Sequence, residues 1–485
     1  MKKKNKSLGM NAALNAFKSS LSILFPLITY PYVFRILHTE GIGKVNYTTS
    51  VISYFALLAE LGISLYAVRE GAKIRENENE FNAFCNEIFS LNVLTTAGAY
   101  ILLFAAAFFI KPLAEYRSLL FLLSLTIVFT TFGIEWINTI FEDFLYVTLR
   151  SIGTYILTLS LLFVLVRDEG DYLQYAFLTV LTSGCICVFN WLHCRKYVHL
   201  KFTFRMNMQK HMRPVLTFFA NSVAISIYVN SDTTMLGYYT GDHYVGLYAL
   251  SVKVYNVIKT MLAAVYTVAV PRLAYFVGQN DKKSVKNVFT SLFSNLTIIL
   301  LPAGVGLASI SREIVLLMGG EEYLEATLTL QILAVALIGA IFGGAITNCL
   351  NIPLGREKVN AKATALSAVI NVLLNIVMIP VFKQNGAAFT TLVAEFFVAI
   401  YCAAEFKNIG DYLDLKEWSR KLLQAVIGCG MVVAITVLVK AFISALVIRV
   451  LLIIAGSIVA YGVELILFKN ELVFSVLNKF HLIRR

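Results

Sequence analysis

Residues 326–348 read ATLTLQILAVALIGAIFGGAITN, a stretch of 23 residues without Asp, Glu, Lys or Arg. About 20 consecutive apolar residues in a helix span the hydrocarbon core of a bilayer, so this stretch predicts a transmembrane helix. The whole chain has the same character, because 58% of its 485 residues are hydrophobic and only 14% are charged. Soluble domains are about half apolar and a quarter charged. The composition therefore excludes a sizeable soluble domain, an intrinsically disordered chain and a nucleic-acid-binding protein.

Apolar segments of similar length recur along the chain and predict an all-α integral membrane protein with about 14 transmembrane helices. The predicted spans are 12–34, 44–68, 84–110, 118–138, 145–166, 173–193, 214–237, 245–270, 290–310, 326–348, 363–382, 386–406, 422–440 and 446–468. An even number of spans places both chain termini on the same side of the membrane.

Basic residues are distributed unevenly over the segments that connect these spans. With the amino terminus in the cytoplasm, 29 of the 41 Lys and Arg residues lie in cytoplasmic segments and nine in outer segments. The other three, Lys18, Lys253 and Lys259, lie within spans. Cytoplasmic loops of membrane proteins carry an excess of Lys and Arg. The count thus predicts cytoplasmic termini, and it indicates that the net charge of +12 reflects topology rather than affinity for polyanions.

An internal repeat is indicated by a shift of 203 residues, which aligns Gly43 with Gly246 at the start of one span in each half. The same shift aligns Arg69 with Arg272 at the end of that span. Six spans separate the copies, so the repeat is parallel and predicts two six-helix lobes around a central cavity. The predicted divisions are an N-lobe with helices 1–6 (1–205), a C-lobe with helices 7–12 (206–410), and helices 13 and 14 with a cytoplasmic tail (411–485).

Charged side chains inside the hydrocarbon are costly and need a partner or water. Lys18 and Glu60 lie at similar depths in the inner halves of their spans, and Asp232 and Lys253 in the outer halves of theirs. Each pair either forms a structural ion pair or lines an aqueous cavity.

Lys259 lies near the middle of span 8, and spans 7 and 9 carry no acid at the same depth. Together with Lys253, Asn256 and Thr260 it forms a polar face on an otherwise apolar helix. Such a face is untenable in lipid and is expected to point into the protein or a cavity, where cations suit a phosphate group. Glu395, near the middle of span 12, is either hydrogen-bonded between helices or binds a proton or a sodium ion.

Sequence signatures of catalysis are missing. The chain has no GxxxxGK[ST] phosphate-binding loop and no HExxH motif, and its six histidines lack metal-ligand spacing. We therefore predict no catalytic residue, no metal site and no cofactor, with a proton or sodium ion as the candidate coupling ion. A membrane-embedded enzyme acting on lipid-linked sugars is the rival class, but such an enzyme usually needs a larger polar loop than this chain has outside.

Several short motifs, in the same order along the chain, resemble those of bacterial polysaccharide repeat-unit flippases. They are Pro31-Tyr-Val-Phe-Arg-Ile-Leu37, Leu61-Gly-Ile-Ser-Leu-Tyr-Ala-Val-Arg-Glu70, Asn230-Ser-Asp-Thr-Thr-Met-Leu-Gly237, Val245-Gly-Leu-Tyr-Ala-Leu-Ser-Val-Lys253, Asn371-Val-Leu-Leu-Asn-Ile-Val-Met-Ile-Pro380 and Gly386-Ala-Ala-Phe-Thr-Thr-Leu-Val-Ala-Glu395. The sequence departs from the family pattern at His38, where a glycine is common.

The resemblance implies the multidrug/oligosaccharidyl-lipid/polysaccharide superfamily, whose members work by alternating access. It implies an undecaprenyl-diphosphate-linked oligosaccharide as substrate, moved to the outer leaflet of the bacterial cytoplasmic membrane for capsule or O-antigen synthesis. Membrane lipids, a polysaccharide polymerase and glycosyltransferases are the expected partners, and nucleic acid is not. A cation-coupled multidrug exporter of the same superfamily is the alternative.

Two sets of residues are the candidates for this function. The predicted diphosphate or cavity contacts are Lys253, Lys259, Lys18, Arg35, Arg69, Arg272 and Asn256. The predicted ion-coupling or cavity residues are Asp232, Glu395 and Glu60.

Overall fold

The computed structural model describes the backbone of residues 8–204 and 206–470, with all of their side chains except those of residues 8–24, 26, 27 and 221. Throughout this part of the chain every regular element is helical. The α-helices are α1 (Leu8–Glu60), α2 (Ile63–Ile74), α3 (Glu78–Phe109), α4 (Arg117–Gly133), α5 (Glu135–Ile140), α6 (Phe144–Leu165), α7 (Tyr172–Cys194), α8 (Met208–Thr240), α9 (Asp242–Thr267), α10 (Val270–Gly278), α11 (Lys282–Ser309), α12 (Ser311–Gly319), α13 (Ala326–Ile346), α14 (Glu357–Ala404), α15 (Leu415–Phe442) and α16 (Leu446–Leu467).

Within the described residues, 12 helical segments are long and apolar enough to cross a membrane. The prediction of an all-α integral membrane protein is thereby confirmed. The number of 14 crossings and the cytoplasmic termini stay predictions. The difference between 12 and 14 arises because predicted spans 1 and 2, and also spans 11 and 12, are separated only by a short non-helical break, at His38 and at Lys383, so each pair is counted as one segment.

Helix α14 has 48 residues and reverses its direction at Lys383, whose φ of 53° and ψ of −130° are not helical. On either side of this residue the two arms are hydrogen-bonded to each other. The hydroxyl of Ser367 donates to the carbonyl oxygen of Ala394 at 3.1 Å. In a straight helix these residues, 27 positions apart, would be separated by about 40 Å. The two arms therefore run side by side, as expected for two separate spans.

Helix α1 has 53 residues and is interrupted at His38, where φ is 54° and ψ is −175°. This backbone conformation is essentially restricted to glycine and is strained in any residue with a side chain. Glycine is common at this position in the family that the sequence resembles. The conformation supplies a physical reason for that preference and shows that this chain carries a strained histidine at the break between its first two predicted spans.

The chain divides into two compact units, Met1–Gly246 and Leu247–Arg485. In the first unit, apolar side chains of α2, α3 and α5 form a buried cluster with the segment after α7. In the second unit, α13 is the most enclosed membrane-spanning helix, packed against α11 and α14. The two units are defined by contacts between residues and not by the internal repeat. The predicted lobes 1–205 and 206–410 therefore stay a prediction.

A reciprocal contact in the first unit supports the predicted repeat. A side chain added at Gly43 would collide with the carbonyl oxygen of Asp242, and one added at Gly246 would collide with that of Thr39. Thr39 and Asp242 are 203 residues apart, as are the two glycines. Under the repeat, Gly43 corresponds to Gly246 and Thr39 corresponds to Asp242. The two contacts are therefore equivalent to each other, as expected of residues related by a local twofold axis. We call this contact the glycine crossing.

Candidate functional site

The polar face predicted on span 8 lies on α9, one of the least buried membrane-spanning helices of the described chain. Lys253 and Lys259 are partly exposed on this helix, whereas Asn256 and Thr260 are exposed. The Thr260 hydroxyl donates to the carbonyl oxygen of Asn256 at 2.7 Å, which satisfies the hydroxyl within the helix. Exposed amide and ammonium groups are not stable against lipid, so this face requires water or a polar ligand.

Lys259 is held by a buried acid on another helix. Its Nζ lies 2.5 Å from Oε1 of Glu395 on α14. The Tyr255 hydroxyl, one turn before Lys259 on α9, donates to the same Oε1 at 2.8 Å. The side chain of Glu395 is 9% exposed, while that of Lys259 is 33% exposed. The carboxylate is thus enclosed between α9 and α14, and the lysine side chain remains partly exposed.

The sequence reasoning placed Lys259 and Glu395 in separate roles and did not predict that they meet. Spans 7 and 9 indeed offered no acid at the depth of Lys259, but span 12 supplies one, 136 residues away. Tyr255 was missed as well. The available signal was its spacing of four residues from Lys259, which places both on the same face of a helix.

The contact between Lys259 and Glu395 could serve two functions, anion binding and cation binding. An ammonium carries three N–H donors, so Lys259 can hold Glu395 and still donate to an anion from its exposed side. A carboxylate enclosed at membrane depth is also a candidate for proton or sodium binding, because its charge is costly there without a cation. The competing interpretation is an ion pair that only joins α9 to α14.

The other predicted coupling residues differ in their surroundings. Asp232 on α8 is 5% exposed, so it is enclosed by protein. Glu60 ends α1 and is exposed beside the left-handed Gly62, where the chain turns into α2. Lys18 lies outside the part of the chain whose side chains the structure describes.

The three predicted arginines are all exposed. The Arg69 guanidinium donates to Oε1 of Glu70 at 2.7 Å and lies 5.0 Å from the ring centre of Phe218. Arg272, its equivalent under the repeat, lies 5.9 Å from the ring centre of Phe276. Arg35 is on the first arm of α1. The guanidinium group of arginine is suited to binding phosphate, and these three side chains lie at the surface of the described chain.

The glycine crossing is surrounded by polar contacts that the sequence did not reveal. The Tyr116 hydroxyl donates to Oδ1 of Asp242 at 2.8 Å. The hydroxyl of Thr39 is 2.8 Å from Nδ1 of His243. Both contacts join residues more than 100 positions apart, so no local pattern marks them. They fix the start of α9 to α1 and to the segment before α4.

The comparison with known proteins begins with protein families. A family model described as "Polysaccharide biosynthesis protein" matches residues 8–277, more than half of the chain. The chain belongs to this family. A second family model, MatE, matches residues 218–381. The resemblance to flippases of the multidrug/oligosaccharidyl-lipid/polysaccharide superfamily is thereby confirmed.

Individual relatives are distant but extend over most of the chain. This member of the polysaccharide biosynthesis family is 23% identical over 402 residues to an Escherichia coli (strain K12) protein named as an O-antigen transporter. That match covers 80% of this chain and 94% of the relative. The chain is also 23% identical over 408 residues to a capsular polysaccharide biosynthesis protein of Staphylococcus aureus, covering 80% and 96% of the two chains.

Solved structures share the fold at low sequence identity. A lipid II flippase in an inward closed conformation is similar with a TM-score of 0.75 and 15% identity, covering 96% of this chain and 99% of that one. An inward-facing multidrug resistance transporter of the MATE family is similar with a TM-score of 0.61 and 14% identity, covering 86% and 98%. With the family assignment, these similarities identify the chain as a multi-pass membrane transporter rather than an enzyme.

Proposed function

We propose that this chain carries an undecaprenyl-diphosphate-linked oligosaccharide from the cytoplasmic to the outer leaflet of the bacterial cytoplasmic membrane by alternating access. A hydrated sugar and a diphosphate do not cross about 30 Å of hydrocarbon unaided. The relatives named for O-antigen transport and capsular polysaccharide biosynthesis support this substrate class. The observation that carries the proposal is the partly exposed side chain of Lys259 on the polar face of α9, whose ammonium is held by Glu395.

In this proposal Lys259 and Lys253 bind the diphosphate, and Asn256 donates its amide hydrogens to the phosphate or the first sugar. The cations at the ends of spans receive or release the same group. These are Arg35, Arg69 and Arg272, with Lys18 within its span. A polymerase and glycosyltransferases of the same glycan are the proposed protein partners.

Glu395 gives the site a means of coupling. When it is ionised, the carboxylate holds Lys259 and neutralises the positive charge of the ammonium. A change in the charge at Glu395 changes the affinity of Lys259 for an anion, which is the link between an ion and the diphosphate that coupled transport requires. Asp232 and Glu60 are the further candidates for ion coupling, and sodium is the alternative ion.

The cellular test is a double substitution, Lys253→Ala with Lys259→Ala, in a strain whose surface glycan depends on this chain. We expect glycan export to be lost while the protein accumulates in the membrane at its normal level, because the diphosphate has no cation on α9. The measurement is surface glycan by antibody binding, with membrane protein level by immunoblot.

The matched control is Lys282→Ala with Lys283→Ala, which removes two exposed lysines at the start of α11. We expect the control to export glycan normally. Normal export by the α9 double variant would overturn the assignment of these lysines. Loss of export in both variants would indicate that total charge, and not the α9 face, controls transport.

The second candidate function is cation-coupled drug export, favoured by the match of residues 218–381 to the MatE family model. In that case the enclosed acids Asp232 and Glu395 would bind a cationic solute. Overproduction would then raise resistance to cationic dyes and leave the surface glycan unchanged.

A further inference from the structure

The connection after α7 is held in a defined position. Residues 198–203, which we call the strap, have no helical structure. The backbone N–H of His199 donates to Oδ1 of Asn82 at 3.2 Å, and that of Lys201 donates to Oδ1 of Asn86 at 2.7 Å. The N–H of Thr203 donates to the hydroxyl of Ser90 at 2.8 Å.

The three acceptors of the strap recur every four residues and thus lie on one face of α3. Alternate backbone groups of an extended segment meet this face in succession. A surface connection without a ligand or packing role does not need such a ladder. The strap is therefore a built element of the first unit.

The turn between α7 and the strap is fixed by Asp143. Its Oδ2 accepts hydrogen bonds from Lys196 Nζ at 2.9 Å and from the Tyr197 hydroxyl at 2.8 Å, and it lies 2.8 Å from Nε2 of His193. Burial raises the pKa of Tyr197, and the Asp143 carboxylate raises it further, so the phenol remains a donor. The ring of Tyr197 is also stacked on Phe141 with a centroid distance of 4.1 Å.

A cavity of about 380 Å³ lies between the strap and the end of α7. Its apolar floor includes Ile134, Cys194 and Val198, which belong to the buried cluster of the first unit. Its rim carries the side chains of two cations and a histidine, all exposed: Arg195, Lys201 and His199. Among the described residues that line the cavity, none is acidic.

The cavity lies where a transmembrane helix ends. Trp191, on the last turn of α7, lines it, and tryptophan is enriched at the boundary between membrane and water. On the same two turns Val188 and Leu192 are 56% and 58% exposed, as expected of side chains that face lipid. The charge count of the sequence assigns this end of α7 to the cytoplasmic side. A lipid headgroup of the inner leaflet is thus at the level of the basic rim.

We propose that this cavity binds the headgroup of an anionic phospholipid of the inner leaflet. The phosphate would lie against Arg195 and Lys201, with an acyl chain along the exposed side of α7. The volume is in the range of small-molecule sites, and the absence of acids among the described lining residues favours an anion over a zwitterion. This lipid is a bound component of the protein and is distinct from the transported substrate.

The test is native mass spectrometry of the purified full chain, titrated with phosphatidylglycerol and with phosphatidylcholine of the same acyl chains. We expect phosphatidylglycerol to bind about 30-fold more tightly, because two basic side chains near a membrane surface contribute additively to anion binding. Arg195→Ala with Lys201→Ala should reduce this preference to nearly one. Both side chains are exposed, so the variant is expected to fold, which its elution as a single species checks.

The control is Lys358→Ala with Lys362→Ala, a pair of exposed lysines at the start of α14. It should keep the preference for phosphatidylglycerol. Equal binding of both lipids by the unchanged protein, or the same loss in both variants, would overturn the proposal. A third titration with undecaprenyl diphosphate identifies the occupant. If undecaprenyl diphosphate displaces phosphatidylglycerol at a lower concentration, and this displacement is abolished in the variant with Arg195→Ala and Lys201→Ala, the cavity is assigned to the substrate. That result would also overturn the proposal.

Discussion

At the level of single residues, the ion pair of Lys259 and Glu395 has an asymmetric exposure. The side chain of Glu395 is enclosed and that of Lys259 is partly exposed. Removing one partner of such a pair is costly mainly when the remaining charge stays buried. Glu395 therefore influences the charge of the site more than Lys259 does, whereas Lys259 is more accessible to a ligand than Glu395 is.

The substitution Glu395→Gln removes the negative charge of the side chain and keeps an oxygen that accepts hydrogen bonds. The amide cannot take up a proton, but it can still accept hydrogen bonds from Lys259 and Tyr255. We expect glycolipid movement to continue at a reduced rate and to lose its response to a pH gradient, since the carboxyl group proposed for coupling is gone. The measurement is the transport rate in proteoliposomes at several pH gradients.

Tyr255→Phe is the control for this prediction, because it removes one hydrogen bond to Glu395 and no titrating carboxyl group. A response to the pH gradient should persist in this variant, with a loss of stability of about 1 kcal/mol. An unchanged pH response in Glu395→Gln would show that this carboxyl group does not couple transport to protons.

At the level of elements, the glycine crossing joins the starts of two equivalent helical segments of the repeat. Ala in place of Gly43 or Gly246 places a methyl group on a backbone carbonyl, which cannot rotate away as a side chain can. We expect each substitution to destabilise the protein by about 1–3 kcal/mol. Gly43 contacts Asp242 and Gly246 contacts Thr39, so both substitutions push apart the same two segments. The double variant should therefore lose less stability than the sum of the losses of the two single variants.

The measurement for this prediction is thermal unfolding of the purified protein in one detergent. Gly153→Ala on α6 is the matched control, since nothing lies within 4 Å of the added methyl group. This control should be neutral or slightly stabilising, because alanine favours a helix. Unchanged unfolding temperatures of the Gly43 and Gly246 variants would contradict the close contact.

Much of this element-level structure is predictable from sequence because it depends on local composition. Uninterrupted apolar runs determined the spans, and the aligned Gly43 and Gly246 indicated the repeat before their contact was known. The meeting of Lys259 with Glu395 was not predictable, because depth in the membrane does not tell which helices are neighbours. The contact of Tyr116 with Asp242 was not predictable for the same reason. The reversal of the chain between spans 11 and 12 depends on one backbone conformation, at Lys383.

At the level of the whole molecule, the described chain provides membrane-crossing helices, a polar face that needs water and an enclosed acid that holds a lysine. A transporter requires these features, whereas an enzyme acting on lipid-linked sugars requires reacting groups placed around an acceptor. The family assignment and the site thus agree on transport, and they leave the substrate to be measured.

The most direct measurement is translocation in sealed proteoliposomes that contain the purified chain. A fluorescent undecaprenyl-diphosphate oligosaccharide is followed with and without a pH or sodium gradient, and a cationic dye is followed in parallel. We predict protein-dependent movement of the glycolipid, accelerated by one gradient and lost when Lys253 and Lys259 are both replaced by Ala, with no movement of the dye. Movement of the dye without the glycolipid would contradict the account and favour the drug exporter.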